Sequence, residues 1–217
     1  MLSRTELISK LRRAGLDPAQ IVVLLELRSA LAGCSTVLDV GCGPNSALQH
    51  FGLERLVGLE GWPPSVETAR RNRTHHEIIP GDVRAIEQMI RPRQFEACVA
   101  LDVIEHLKKE EGFKFLEALE RCASRKVILL TPNGFLPQGH TDTDDLQSHH
   151  SGWDPAEMRA RGYRVVGALG PKKLRGEYHK LRYQPRLLWA MISLAAQLGW
   201  NRWQPNSAAA IICAKTL

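Results

Sequence analysis

The chain has 217 residues, of which 44% are hydrophobic, 24% charged and 6% aromatic. That is ordinary globular composition with length for one complete core, and it excludes a disordered tail or a repeat array. Twenty-nine Lys and Arg against 23 Asp and Glu leave a formal net charge of +6, which favours an acidic partner: nucleic acid, an anionic membrane surface or a phosphorylated small molecule.

Apolar residues at Leu7, Ile8 and Leu11, and then at Ile21, Val22, Leu24, Leu25, Leu27 and Leu31, follow helical spacing. Asp17 and Pro18 supply an N-cap and a first-turn proline, so two helices are expected before the first strand. No signal peptide is expected, because Glu6 precedes any apolar stretch and no small-residue cleavage site follows. From Thr36 the chain alternates short apolar runs with helical stretches, the pattern of βαβ units. Strands are expected near 36–40, 55–60, 76–79, 95–101, 125–131, 163–169 and 208–214, with helices over 45–51, 64–72, 83–90, 109–122 and 154–161.

The expected fold is therefore α/β, a Rossmann-like, doubly wound, mostly parallel sheet in one domain. Residues 1–33 are N-terminal helices, 34–169 the ligand-binding core, 170–206 a basic and then apolar insertion, and 207–217 the last strand. Two connections, 132–153 and 170–206, are long enough to serve as lids or binding loops. Cys34, Cys42, Cys98, Cys122 and Cys213 are odd in number, lie in apolar runs and form no C-x-x-C. Neither a disulfide framework nor a zinc knuckle is expected, and a reducing cytoplasm is the simplest compartment.

Open α/β sheets bind ligands beyond the carboxyl ends of their strands, so the loops after the first strands matter most. The first reads Asp39-Val40-Gly41-Cys42-Gly43-Pro44-Asn45-Ser46. Its glycines let backbone approach a ligand closely, and Asp39 adds a carboxylate suited to an amine or sulfonium. A dinucleotide site needs a third glycine where Ser46 stands, which disfavours a nicotinamide dehydrogenase. Glu60 ends the second strand 19 positions after Gly41, close to the spacing of about 20 at which a carboxylate reaches ribose hydroxyls. Gly81-Asp82-Val83 follows the third apolar run.

In order and spacing these motifs resemble the class I S-adenosylmethionine-dependent methyltransferases of small bacterial type, over residues 36–131 well and 132–169 partly. The resemblance implies a seven-stranded sheet with an antiparallel last strand, which Ala208 to Ala214 would supply. It implies S-adenosylmethionine as cofactor, with its amino-acid end at Asp39 and the Gly41, Cys42, Gly43 loop. Ribose would lie at Glu60 beside Gly61, and adenine between the Asp82 side chain and the Val83 N–H. Leu101 and Asp102, ending the fourth strand, would lie beside the methionyl group. Ser46 departs from the small glycine often seen there, and the long connection before the last strand leaves the acceptor open.

Glu105 and His106 follow Asp102, and His149-x-Ser151-x-Trp153 is similar to a pattern in small bacterial methyltransferases whose loop packs over the acceptor pocket. An imidazole titrates near neutral pH, so His149 and His106 are the candidate bases for a hydroxyl acceptor. The competing reading is that His149 and Trp153 only dock the loop. The Asp102-x-x-Glu105-His106 spacing also resembles a cation-binding set in some quinone O-methyltransferases and small-RNA methyltransferases. Glu-His after the fourth strand is common in this fold without metal, so no metal is expected.

Lys172, Lys173, Arg175, Lys180, Arg182 and Arg186, interleaved with Tyr178 and Tyr183, precede the apolar run Leu187 to Leu198. That run of about 12 residues is too short to span a bilayer. It leaves open a peripheral membrane contact through 180–199, a homodimer helix, or a lid on the core. The expected activity is methyl transfer to a small-molecule or glycan- or lipid-linked acceptor, at oxygen. The alternatives are an RNA methyltransferase using 172–186 and a non-catalytic cofactor- or partner-binding protein.

Overall fold

In the computed structural model the described residues are Thr5, Glu6, Ile8, Ser9, 18–137, 148–176 and 180–217. Leu7, Leu11, the Asp17 cap and Tyr178 lie outside them. Helix α1 (Pro18–Ala30) leads into β1 (Thr36–Val40), β2 (Arg55–Glu60), α2 (Pro63–Asn72) and β3 (Glu77–Pro80). The short helix α3 (Ile86–Met89), β4 (Phe95–Leu101), α4 (Lys109–Cys122) and β5 (Ala123–Pro132) come next. Then follow α5 (Pro155–Ala160), β6 (Arg164–Pro171), α6 (Arg186–Ala196) and β7 (Ala208–Thr216).

The seven strands form one sheet in the order β3-β2-β1-β4-β5-β7-β6. All neighbours pair in parallel except that β7 runs antiparallel to β5 and β6. The central strands are buried on both faces, as parallel strands covered by helices must be. Leu38 and Val40 join α4 residues such as Phe115 and Leu116 in one core layer. Val37, Val99 and Ile128 meet Leu24 and Leu27 of α1 in the other. The period of two along β1 thus feeds two hydrophobic cores from one strand. Glu96 fastens the start of β4 to β1, its carboxylate accepting from the Ser35 and Thr36 N–H groups at 2.6 and 3.2 Å. All five cysteines are buried free thiols.

Two expected helices shrink. Over 45–51 only a 3-10 turn forms, Ala47–His50, because Ser46 holds an extended backbone and caps it by accepting from Leu48 N. Gly52, at φ 68°, follows this turn. Over 83–90, Asp82 caps a 3-10 turn, Val83–Ala85, and Ala85 leaves helical geometry before α3 starts. Strand β5 begins at Ala123, directly after α4, with no separating turn.

Candidate active site

Loops at the carboxyl ends of β1 to β5 enclose a cavity of about 730 Å³, a normal size for a small-molecule site. Gly41 and Gly43 both take left-handed backbone, with φ 66° and 60°. A Cβ on Gly41 would meet Val103 Cγ2 at 2.6 Å, whereas one on Gly43 would meet nothing within 4 Å. The first glycine therefore lets the loop close on the segment after β4. The second presents open backbone to the cavity.

Glu60 joins two loops. One carboxylate oxygen accepts from Gly43 N and the other from Trp62 N, both at 2.8 Å. Each oxygen keeps a second lone pair for a ligand hydroxyl, and Glu60 lines the cavity with Gly61. The packing of Gly61 is close, since a Cβ there would lie 3.3 Å from the Gly81 carbonyl oxygen.

Asp39 is 2% exposed and lies behind the glycine loop. Its carboxylate accepts from the Ser46 hydroxyl and pairs with His75 Nε2 at 3.1 Å. With Gly41, Gly43 and Leu101 it lines a smaller cavity of about 360 Å³. Ser46, which the sequence shows as a departure from a glycine, is thus both a cap and a strut for Asp39. Nothing in the sequence marks His75, which reaches Asp39 only because the loop before β3 folds back beneath the glycine turn. The Cys42 side chain packs with Val66, Ala69 and Ile78, and the residue borders the smaller cavity. Burial first, then Asp39 and Glu60, push the Cys42 thiol pKa up, so it is no nucleophile.

The Asp82 carboxylate accepts from the Arg84 backbone N–H and is gripped by the Arg84 guanidinium, at 2.6 Å from Nη2. That side-chain hydrogen bond is the largest of the effects that hold Asp82 below the usual carboxylate range. Asp82 and Val83 still line the main cavity, but Arg84 donates twice to each Asp82 carboxylate oxygen, so a ligand amine would have to share or displace the arginine.

Across β1, the loops after β4 and β5 build the other half. Asp102 turns the chain at φ 53° and lines both cavities. Glu105 is 2% exposed; one oxygen accepts from Thr131 Oγ1 at 3.0 Å, and Oε1 has no hydrogen-bond partner among the described residues. Burial, reinforced by Asp102, raises its pKa well above the carboxylate range. The His106 and His149 rings meet edge to face, centroids 4.8 Å apart. His106 Nδ1 lies 3.1 Å from Ser148 O and His149 Nδ1 lies 2.7 Å from Leu136 O. A carbonyl oxygen only accepts, so in each neutral ring Nδ1 carries the proton and Nε2 offers a lone pair. Burial lowers the His106 pKa, the largest of its influences. Among the described residues, Glu105, His106 and His149 bring three ligand-type atoms within 4.8 Å of one another. The clustered acid is Glu105, and the third member is His149 rather than Asp102.

Ser151 and Trp153 hold the histidine loop in place. Trp153 is fully buried, donates to Ser151 Oγ at 2.9 Å and fills the space over Gly112. Ser151 Oγ donates to Ile104 O, and Lys109 Nζ sits 3.7 Å over the indole. The motif divides its labour: His149 lines the cavity, while Ser151 and Trp153 dock the loop.

Residues 38–131 match the family described as a methyltransferase domain. No curated protein sequence matches the chain. Among solved structures, an S-adenosylmethionine-dependent methyltransferase from Archaeoglobus fulgidus is similar, at 15% identity and TM-score 0.57, over 99% of this chain and 95% of that one. The methyltransferase domain of a bacterial Hen1 protein gives 16% identity and TM-score 0.56, over 89% and 96%. Magnesium protoporphyrin IX methyltransferase of Synechocystis PCC 6803, solved with bound S-adenosylmethionine, gives 16% and 0.50, over 91% and 76%. The chain thus carries a methyltransferase-domain match over residues 38–131 and shares the fold and sheet order of S-adenosylmethionine-dependent methyltransferases.

Proposed function

We propose that the chain methylates a hydroxyl oxygen on a small-molecule, glycan or lipid-linked acceptor, with His149 and His106 as its bases. The observation that carries this reading is the pair of imidazoles in one cavity, each with Nδ1 committed to a carbonyl and Nε2 left as an acceptor. The donor set fits the cofactor on the other side of the cavity: the Glu60 oxygens suit two vicinal hydroxyls, and the bare Gly43 backbone admits close approach. Asp39 acts from behind, fixing the loop through Ser46 and drawing cationic charge toward the smaller cavity. Leu101 and Asp102 border the methionyl region, and Asp82 and Val83 the adenine region.

The cofactor supplies an already activated methyl group, so the chain's tasks are alignment, exclusion of water and removal of one proton. His149, or His106 beside it, takes the acceptor's hydroxyl proton on Nε2, while the backbone carbonyl at Nδ1 steadies the imidazolium. The buried Glu105 holds Thr131 and, through its own carbonyl, the His150 and Ser151 N–H groups. It shapes the site without carrying the proton.

The test is His149→Ala assayed for S-adenosylhomocysteine release across a panel of hydroxylated acceptors. Turnover is expected to fall about 10²- to 10⁴-fold with cofactor affinity unchanged. Unchanged turnover removes His149 from the mechanism. Loss of wild-type turnover on chelation of divalent ions would assign the cluster to a metal instead. Tight cofactor binding without turnover on any acceptor favours the non-catalytic reading.

A further inference from the structure

Helix α6 and the π-helical turn that continues it, Gln197–Asn201, are built inside out. The face turned to the protein is Ala190, Ser193, Gln197 and Asn201, small or polar residues at helical spacing, all buried. Ser193 donates to Leu169 O, and buried Arg175 donates to Ser193 Oγ, so the inner face is fixed by hydrogen bonds. The outer face carries large apolar groups: Leu187 is 76% exposed, Met191 54%, Trp200 64% and, just beyond, Trp203 72%. Eight of the ten exposed large hydrophobic residues among those described fall within 183–203. A solvated helix has the opposite polarity, and a contiguous exposed apolar patch marks an interaction surface.

The charge around the patch selects its partner. From residue 180 to the C-terminus the sequence holds five Lys and Arg and no Asp or Glu; Arg202 and Lys215 pair with Glu26 and Glu120, so the exposed positive charge is concentrated at 172–186. Lys172, Lys173, Lys180, Arg182 and Arg186 are exposed at the start of the segment. A second copy docked by two-fold symmetry would set this one-signed face against itself. No helix is long and apolar enough among the described residues to cross a membrane. We infer that residues 180–203 dock on an anionic phospholipid bilayer. The helix lies in the interfacial plane, Leu187, Met191 and the tryptophans reach the acyl boundary, and the basic residues meet the headgroups.

Position gives this docking a use. The segment leaves the carboxyl end of β6, which runs parallel to β1 to β5, so it starts on the sheet edge that carries the cavity. Lys172 donates to the Asn133 carbonyl in the loop after β5, the same connection that brings Pro132 and Leu136 to the cavity wall. A bilayer-bound enzyme holds that edge near the headgroup layer, where a lipid-linked acceptor is presented.

The experiment is flotation of the full chain with vesicles of phosphatidylcholine alone and with added phosphatidylglycerol, at low and high salt. Binding is expected to the anionic vesicles, weakened about tenfold or more without phosphatidylglycerol or at high salt. The exposed triple variant Leu187→Gln/Met191→Gln/Trp203→Gln should lose it, with S-adenosylhomocysteine affinity and melting temperature unchanged. Those two readouts keep the inference separate from the catalytic reading. No flotation on any vesicle overturns it, as does a dimer in sedimentation that the triple variant abolishes, which would give the face to a second copy.

Discussion

Truncating Glu60 to alanine removes the acceptor that holds the Gly43 and Trp62 N–H groups and, on the proposed reading, the carboxylate that meets the ribose. Hydrogen bonds to a charged group contribute about 1.5–3 kcal/mol, so S-adenosylhomocysteine should bind about 10- to 100-fold more weakly by calorimetry. Unchanged affinity would place the ribose elsewhere. The histidines make a second residue-level prediction. A base must be unprotonated, and burial lowers the His106 pKa, so turnover through His106 survives acidification below its ordinary value. The acidic limb of kcat against pH should lie below about 6.5, and a limb above that excludes His106 as base. Glu60 is legible in the sequence because βαβ geometry fixes the distance from glycine loop to second strand end. His75 and the second role of Ser46 are not, because their contacts with Asp39 exist only after three loops converge.

The histidine loop is an element held by one aromatic anchor. Gly112 lies in α4 beneath Trp153, and a Cβ there would stand 2.4 Å from the indole Cζ2. Gly112→Ala gains about 1 kcal/mol of helix propensity but overpacks a fully buried ring at a cost of about 1–3 kcal/mol. The ring has little freedom to yield, pinned by Ser151 on its N–H and by Lys109 above its face. Overpacking should win by a net of up to about 2 kcal/mol, lowering the melting temperature by up to roughly 8 °C and reducing turnover as His149 shifts. A melting temperature equal to or above wild type in calorimetry would show that the loop accommodates the methyl group. Strands and long helices were readable from periodicity because each repeats its pattern over several turns. Residues 45–51 and 83–90 shortened because Ser46 and Asp82 cap 3-10 turns at positions that read equally well as α-helix. The apolar run of α6 was readable as a helix, but its inverted orientation was not, since periodicity identifies two faces without saying which one meets the core.

At the scale of the molecule, the sheet order sets two groups of side chains on either side of β1. Loops after β1, β2 and β3 carry the carboxylates and glycines that suit the cofactor, and loops after β4 and β5 carry the imidazoles. The surplus positive charge belongs to neither group. It gathers on 172–186 at the edge of β6, next to an exposed apolar face, which is the surface proposed above to meet an anionic bilayer. One cavity is proposed to hold cofactor and acceptor on opposite sides of β1. A crystal structure of the chain with S-adenosylhomocysteine tests it most directly. The ribose hydroxyls should lie on Glu60, the adenine beside Asp82 and Val83, and the sulfur should face the side of the cavity that holds His106 and His149. Adenosine bound away from Glu60, or a sulfur turned from both histidines, would contradict the account.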